Sequence, residues 1–427
     1  MKLNIKDMQL IFNIIEQYET KIDKNFKIPL AEYEERYKKV WKVLEERKID
    51  MGFFFWYREI PGDGIYLTGY NPTIERASGV IAPGKRPMLL AGPESGILSK
   101  EVGLNLETNF VNEFSIPDEY YEGVERGDLS RIIEDYIGKE VKTIGYMTNE
   151  DIIPAKFMNF LYTSFGEAEV VDASDILEEL RYEKSEAEFK CMEQADMIAC
   201  ATIRSMLAVA KPGITESEIA AAGDFVIKAL GGCGYGFETI VNSAERCKTV
   251  IGPATNRIIR KGELVQIGCS PSYEGYKGVC RRAFVMGERS PLQNEYFTCM
   301  NEAYERAEKK IYNVCENNLP SNIIDLAARN YFNSQEINGR NMKLYHFYST
   351  CHGTGLTECL EKMVITPTKE DRYGENVGIM LDLGCYGYPD TEICGGCVED
   401  AFVKKGNKVY KYSDMPIDVQ ILVGKGM

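Results

Sequence analysis

Imidazole chemistry in this sequence is confined to one short segment. The 427 residues contain two histidines, His346 and His352. Histidine has an ordinary pKa near neutrality, so it is the usual general acid or base. His352 precedes Gly-Thr-Gly, a flexible stretch whose backbone can approach a ligand closely. We therefore expect His352 to be the acid–base residue of a site, the alternative being a histidine held in a turn for packing.

The residues just before His352 are aromatic. Tyr345-His-Phe-Tyr348 could line a pocket for a small organic ligand, although such runs also fill cores. Tyr345 and His346 are accordingly candidate substrate-binding residues.

The 13 cysteines are scattered over a long chain, which favours reduced thiols over a disulfide framework. Cys394 and Cys397 have the spacing of a redox or zinc pair, but no second pair accompanies them.

Composition excludes several classes of partner. The net charge is −15, from 50 basic and 65 acidic residues, which disfavours binding to nucleic acid. No stretch approaches the roughly 18 to 20 apolar residues of a membrane span, and the start lacks the apolar core of a signal peptide. We therefore expect a cytoplasmic protein that acts on a small-molecule substrate.

The elements that must position these residues change in character near Asp175. Upstream, short apolar runs alternate with helical segments, which predicts an α/β domain over residues 1–175. Downstream, a long helix stops at Lys211-Pro-Gly213, and glycine-rich turns separate strand-like runs. This pattern predicts an α+β domain with a mostly antiparallel sheet over residues 176–427.

Several segments, in order over nearly the whole chain, resemble the creatinase, prolidase and aminopeptidase P family. The matching pieces are Ile65–Tyr70, Leu180–Glu186, Lys211–Ala220, Phe237–Val241, Pro253–Arg257, Gly262–Val265, Tyr273–Tyr276, His352–Gly355 and Val398–Asp400. The resemblance implies an α+β fold in which a C-terminal pita-bread domain follows a creatinase/prolidase-type N-terminal α/β domain. It also implies a homodimer.

The peptidases of this family hold two divalent metals with two aspartates, a histidine and two glutamates. By resemblance, the corresponding positions here are Gly268, Val279, Leu356, Asp382 and Glu399. Two carboxylates without a histidine cannot fix a pair of divalent ions. We therefore expect no metal and no other cofactor.

Creatinase is the metal-free precedent in the family, but its features are also changed. Its catalytic histidine falls on Ile251, and the glutamate that grips the guanidinium falls on Arg281, which reverses the local charge. Creatine is thus a poor substrate. Arg76 resembles the arginine that reaches into the partner subunit's site.

The resemblance brings Asp382 and Glu399 to one point, where two carboxylates can share a proton and act as acid and base. Strand alternation directs Arg281 into the site if Val279 keeps the direction of the former ligand, and places Cys397 on the face of Glu399. Arg281 could bind a substrate carboxylate or simply neutralise the acidic pair.

These residues favour a metal-independent, creatinase-like hydrolase that cleaves a C–N bond of a small, polar, carboxylate-bearing metabolite. The predicted catalytic residues are His352, Glu399 and Asp382, with Arg281, Arg76, Cys397, His346 and Tyr345 binding substrate. The alternative is an inactive pita-bread protein that binds a peptide or metabolite. A third possibility is an Xaa-Pro metallopeptidase with an unusual metal site.

Overall fold

The computed structural model describes residues 2–116 and 128–425. Its α-helices are α1 (Ile5–Glu19), α2 (Leu30–Arg47), α3 (Gly62–Thr68), α4 (Pro93–Val102), α5 (Leu129–Ile137), α6 (Ala155–Ser164), α7 (Asp175–Tyr182), α8 (Glu186–Val209), α9 (Glu216–Ala229), α10 (Pro291–Glu316) and α11 (Asn322–Asn333). Short 3₁₀ segments occur at Asn112–Phe114, Ala244–Lys248, Met342–Leu344 and Gln420–Leu422.

The strands in the first half of the chain are β1 (Met51–Trp56), β2 (Ala77–Ile81), β3 (Met88–Ala91), β4 (Thr108–Phe110), β5 (Thr143–Tyr146) and β6 (Glu169–Asp172). Those that follow are β7 (Gly234–Tyr235), β8 (Ile240–Ser243), β9 (Leu264–Cys269), β10 (Pro271–Tyr273), β11 (Tyr276–Lys277), β12 (Cys280–Val285), β13 (Glu336–Ile337), β14 (Arg340–Asn341), β15 (Cys351–Gly353), β16 (Glu361–Ile365), β17 (Asn376–Tyr386), β18 (Gly395–Lys405) and β19 (Lys408–Lys411).

The chain divides into two compact units, one of Lys27–Arg181 and one of Met1–Phe26 with Tyr182–Met427. This division differs from the predicted ranges 1–175 and 176–427 at both ends of the first domain. Helix α1 belongs to the second unit because its apolar stripe, which includes Ile11 and Ile14, is buried and packs on α8. The ion pair between Lys211 and Asp7, at 2.5 Å, fixes the same helix to that unit.

The Lys27–Arg181 unit is built on a six-stranded sheet in the order β4-β3-β2-β1-β5-β6. The sheet is mixed, since β1 runs antiparallel to β2 and parallel to β5. This is the predicted α/β domain, and Arg76 lies immediately before β2.

The second unit contains an antiparallel sheet in the order β16-β15-β17-β18-β12-β9-β8, with β19 paired to β18. Leu381, Leu383 and Val398 belong to the apolar core that includes α10 and α11. Because neighbouring side chains on a strand alternate between faces, Asp382 on β17 and Glu399 on β18 point to the opposite face. The predicted α+β architecture with an antiparallel sheet is confirmed.

Within the described residues, no helix is long and apolar enough to cross a membrane.

Candidate functional site

The site is a row of facing residues on four adjacent strands. Asp382 pairs with Glu399, Glu399 with Arg281, and Arg281 with Gly268 in the register of β17, β18, β12 and β9. Nη1 of Arg281 lies 3.3 Å from Oε2 of Glu399 and 3.6 Å from Oδ1 of Asp382. One guanidinium therefore bridges both carboxylates, as strand alternation predicts for Arg281.

The position of Arg281 depends on the glycine opposite it. A Cβ added at Gly268 would lie 2.5 Å from Cγ of Arg281. Only glycine at position 268 therefore leaves room for the aliphatic part of the Arg281 side chain. The far end is held by the protein as well, because Nη2 donates to the carbonyl of Val250 at 2.5 Å and to the hydroxyl of Tyr386. With 2% of its side chain exposed, Arg281 is a buried cation whose two terminal nitrogens are engaged.

Glu399 is the most buried acid of the row, with 1% of its side chain exposed. Burial, followed by the charge of Asp382, raises the pKa of Glu399 well above its usual range, although Arg281 opposes this effect. The direction of this shift favours the protonated form of Glu399, which lies beside the Arg281 guanidinium.

Asp382 accepts two further hydrogen bonds from the protein. The hydroxyl of Tyr348 donates to its Oδ1 at 2.9 Å, and the thiol of Cys397 donates to the same atom at 3.0 Å. Burial raises the pKa of both donors well above their ordinary values. Cys397 is therefore in the site as a protonated thiol, not as a nucleophilic thiolate.

His352 presents one ring nitrogen to the acids. Its Nδ1 lies 3.1 Å from the carbonyl oxygen of Gly353, which is an acceptor for an Nδ1 proton. Its Nε2 lies 4.0 Å from Glu399 and 3.6 Å from Oε1 of Glu358, an acid in the turn before β16. About a tenth of the His352 and Glu358 side chains is exposed, so both can be reached from solvent.

An apolar wall adjoins these polar groups. Val279, Met380 and Ala401 form a small buried cluster, and the half-buried ring of Phe237 packs against it. Val279 thus supplies packing where the resemblance placed a metal ligand.

Among the residues that the structure describes, one set could hold a metal, namely His352, Asp382 and Glu399, whose donor atoms all lie within 4.8 Å of one another. His352 supplies the imidazole of this set, whereas Leu356, which by resemblance takes the place of the family's histidine ligand, supplies no donor atom. Gly268 and Val279 offer no donor atom, so the residues present do not fit a pair of ions.

A single ion at these three groups would share its carboxylates with Arg281. Two unit charges 4 Å apart interact by about 4 kcal/mol at the effective dielectric of protein sites, so a divalent ion would meet about twice that repulsion. The guanidinium already supplies the positive charge that the acidic pair requires.

Three predicted substrate-binding residues lie away from His352, Asp382 and Glu399 and make no described contact with them. These residues are His346, Tyr345 and Arg76. His346 lies 2.8 Å from the Gly384 carbonyl through Nδ1 and 3.1 Å from the Thr350 hydroxyl through Nε2, and burial lowers its pKa. Tyr345 packs in the core against Tyr388, with ring centroids 4.5 Å apart. Arg76 is exposed in the other unit, with its guanidinium 5.9 Å from the ring centroid of Phe157.

Sequence reasoning missed Glu358, Tyr386 and the contact of Tyr348 with Asp382. Tyr386 could have been found, because it lies four residues after Asp382 on the same strand and therefore on the same face. Glu358 lies in a turn, where no periodicity gives the direction of a side chain.

The family model described as metallopeptidase family M24 matches residues 190–405, slightly more than half of the chain. The chain therefore belongs to the metallopeptidase family M24, and the predicted relationship to creatinase, prolidase and aminopeptidase P is confirmed.

The similarity to known proteins covers most of the chain. An Xaa-Pro dipeptidase of Pyrococcus horikoshii is 24% identical over 380 residues, which cover 88% of this chain and 96% of that protein. The solved prolidase of Pyrococcus horikoshii has a TM-score of 0.72 at 22% identity, covering 90% of this chain and 99% of that one. The X-Pro aminopeptidase of Thermotoga maritima has a TM-score of 0.73 at 19% identity, covering 90% and 99%. These likenesses establish the pita-bread fold.

Proposed function

We propose that this protein is a metal-independent hydrolase that cleaves a C–N bond of a small polar molecule. The observation that carries the proposal is the Arg281 guanidinium, which bridges Asp382 and Glu399 at 3.6 and 3.3 Å. A cation fixed in the chain thus neutralises the acidic pair. We also propose that the protein is a homodimer and that it acts in the cytoplasm, where its thirteen free thiols stay reduced.

The proposed mechanism follows from which groups of the site can accept a proton and which can donate one. Nε2 of His352 accepts a proton from the attacking water, and the buried, protonated Glu399 supplies a proton toward the leaving nitrogen. His352 returns its proton to Glu399 after cleavage once the two groups, 4.0 Å apart in this structure, approach to hydrogen-bond distance. Arg281, Tyr348 and Cys397 all contact Asp382 and hold its carboxyl group in place during these steps.

Binding of a substrate carboxylate by Arg281 has no geometric support. Both terminal nitrogens of Arg281 already contact protein oxygens, and the side chain is almost fully buried. The proposal therefore concerns a small polar substrate and does not include the carboxylate.

Two other functions also have observations in their favour. An Xaa-Pro metallopeptidase with one ion is favoured by the donor set of His352, Asp382 and Glu399, and by relatives named Xaa-Pro dipeptidase. An inactive binding protein is favoured by the buried ion pairs of Arg281, which could serve the fold alone.

A substrate screen with and without chelator separates the three functions. Small amides, amidines, ureas and Xaa-Pro dipeptides are incubated with the purified protein, and the released amine is measured. We expect cleavage of at least one non-peptide substrate that chelator leaves unchanged and that His352→Ala reduces. Cleavage that stops with chelator supports the metallopeptidase, whereas binding without cleavage across the panel supports the inactive protein.

A further inference from the structure

The structure pairs Cys394 with a cysteine that is distant in sequence. The thiol of Cys397 donates to Asp382, on the face of the sheet that carries the acids. Cys394, one residue before β18, belongs to the apolar core that includes α10 and α11, on the other face. A hydrogen bond joins its thiol to that of Cys247, which lies in the same core. We propose that Cys247 and Cys394 form a redox modification site, a dithiol that a hydroperoxide converts to a disulfide.

The backbone brings these two cysteines together. A Cβ added at Gly395, the residue after Cys394, would overlap the carbonyl oxygen of Cys247. The thiol of Cys394 donates at 2.7 Å to the carbonyl of Ala244, which begins the 3₁₀ segment that contains Cys247. Both cysteines are free. An S–S bond therefore requires rotation of two side chains rather than a large movement of the chain.

The surroundings of the two sulfurs set the order in which they react. The hydrogen bond from Cys247 and the charge of Lys248 lower the pKa of Cys394, whereas burial and the same hydrogen bond raise the pKa of Cys247 well above its usual value. Cys394 therefore supplies the attacking thiolate and Cys247 the resolving thiol. The pair lies just beneath the surface, because Glu392 and Lys248 beside it are exposed, and a small oxidant needs only a local opening.

The reaction consumes one hydroperoxide. The Cys394 thiolate attacks the outer peroxide oxygen, so that the S–O bond forms as the O–O bond breaks, and the leaving alkoxide takes up the proton that Cys394 lost. The sulfur of Cys247 then displaces hydroxide from the Cys394 sulfenic acid, and the proton of Cys247 converts the hydroxide to water. Two thiols and one hydroperoxide thus give a disulfide, an alcohol and water, with a second water in place of the alcohol for hydrogen peroxide. A thiol reductant restores the dithiol.

The disulfide links the two segments that hold Arg281. Val250, whose carbonyl accepts a hydrogen bond from Nη2 of Arg281, follows Cys247 by three residues. Tyr386, whose hydroxyl accepts from the same nitrogen, pairs across the sheet with the residue after Cys394. Oxidation therefore stabilises the support of Arg281 and closes a long loop of the chain. The proposal does not depend on the proposed function, since it requires no substrate of the hydrolase.

The test starts from the fully reduced protein. The protein is treated with a few equivalents of hydrogen peroxide, the remaining thiols are blocked with N-ethylmaleimide during unfolding, and digests made without reductant are analysed by mass spectrometry. Wild type, Cys394→Ala, Cys247→Ser and the control Cys299→Ala are compared, with dimedone added in parallel samples to trap sulfenic acids. Cys299 is another buried thiol of the same core, and Cys247→Ser keeps a hydrogen-bond donor beside Cys394.

We expect peptides joined through Cys247 and Cys394 in the wild type and in Cys299→Ala, and their separation by dithiothreitol. The oxidised wild type should melt about 4 to 8 °C above the reduced protein. Dimedone should label Cys394 in Cys247→Ser, whereas Cys247 should stay unlabelled in Cys394→Ala. Free thiols at both positions in the treated wild type, a bond between Cys394 and Cys397, or an unchanged melting temperature after oxidation would each overturn the proposal.

Discussion

Removing the guanidinium of Arg281 should destabilise the fold in a pH-dependent manner. In Arg281→Met the methionine side chain still fills the space beside Gly268. Glu399 and Asp382, which lie 3.3 and 3.6 Å from the guanidinium, lose their buried counter-charge. Breaking a buried ion pair from one side costs about 3 to 5 kcal/mol in the free energy of unfolding. At about 2 °C per kcal/mol for a unit of this size, the melting temperature should fall by roughly 6 to 10 °C near pH 7.

The sign of the pH dependence follows from the direction of the pKa shift. Burial already raises the pKa of Glu399 in the folded protein, and loss of Arg281, whose charge lowers it, raises it further. A carboxyl group with a raised folded pKa favours the folded state at low pH and loses that contribution as pH rises through the folded pKa. Between about pH 5 and pH 10, the deficit of Arg281→Met relative to the wild type should therefore stay constant below the folded pKa that Glu399 has in the wild type and grow as the pH rises above it.

Urea and thermal unfolding across that pH range measure the deficit. Arg306→Met is the matched control, because Arg306 forms an exposed pair with Glu302 on α10, with 50% and 41% of the side chains exposed. Such surface pairs contribute about 1 kcal/mol or less. If Arg281→Met were as stable as Arg306→Met at every pH, Arg281 would not be the counter-charge of the acidic pair.

Four further outcomes are expected. Divalent zinc or manganese should raise the melting temperature of Arg281→Met, whose carboxylates Asp382 and Glu399 are freed from the guanidinium, more than that of the wild type; equal shifts in both proteins would contradict this. His352→Ala should lower the turnover of any cleaved substrate by at least about 10²-fold with an unchanged circular dichroism spectrum, and wild-type kinetics would remove His352 from the mechanism. Maleimide labelling followed by mass spectrometry should modify the exposed Cys233 before Cys359, because burial and Glu358 raise the pKa of Cys359 to about 12; early labelling of the buried Cys397 would show that the pocket opens widely. Sedimentation should show a dimer, and a stable monomer at micromolar concentration would exclude a role for Arg76 in a partner's site.

Strand periodicity made the centre of the site predictable. Arg281, Glu399 and Cys397 lie on paired strands where a period of two fixes the face, and the structure places all three against Asp382. The resemblance to the family predicted the fold, because matching segments occur in the same order in both units of the chain.

The sequence could not reveal contacts that depend on turns or on distant packing. Glu358 reaches His352 from a turn whose course depends on the surrounding packing. The place of α1 in the second unit depends on packing against α8, far along the chain. The distance of His352 from the carboxylates depends on the register of β15 on β17, in which His352 pairs with Met380, and the sequence does not give that register.

The metal content of the native protein tests the central claim most directly. Protein purified without chelator is equilibrated with zinc, manganese and cobalt, separated from free ions, and analysed by inductively coupled plasma mass spectrometry. We expect far less than one equivalent of any divalent metal per chain. The Arg281 guanidinium already supplies the positive charge beside Asp382 and Glu399. One or two tightly held equivalents per chain would contradict the claim that an arginine has taken the place of the metal.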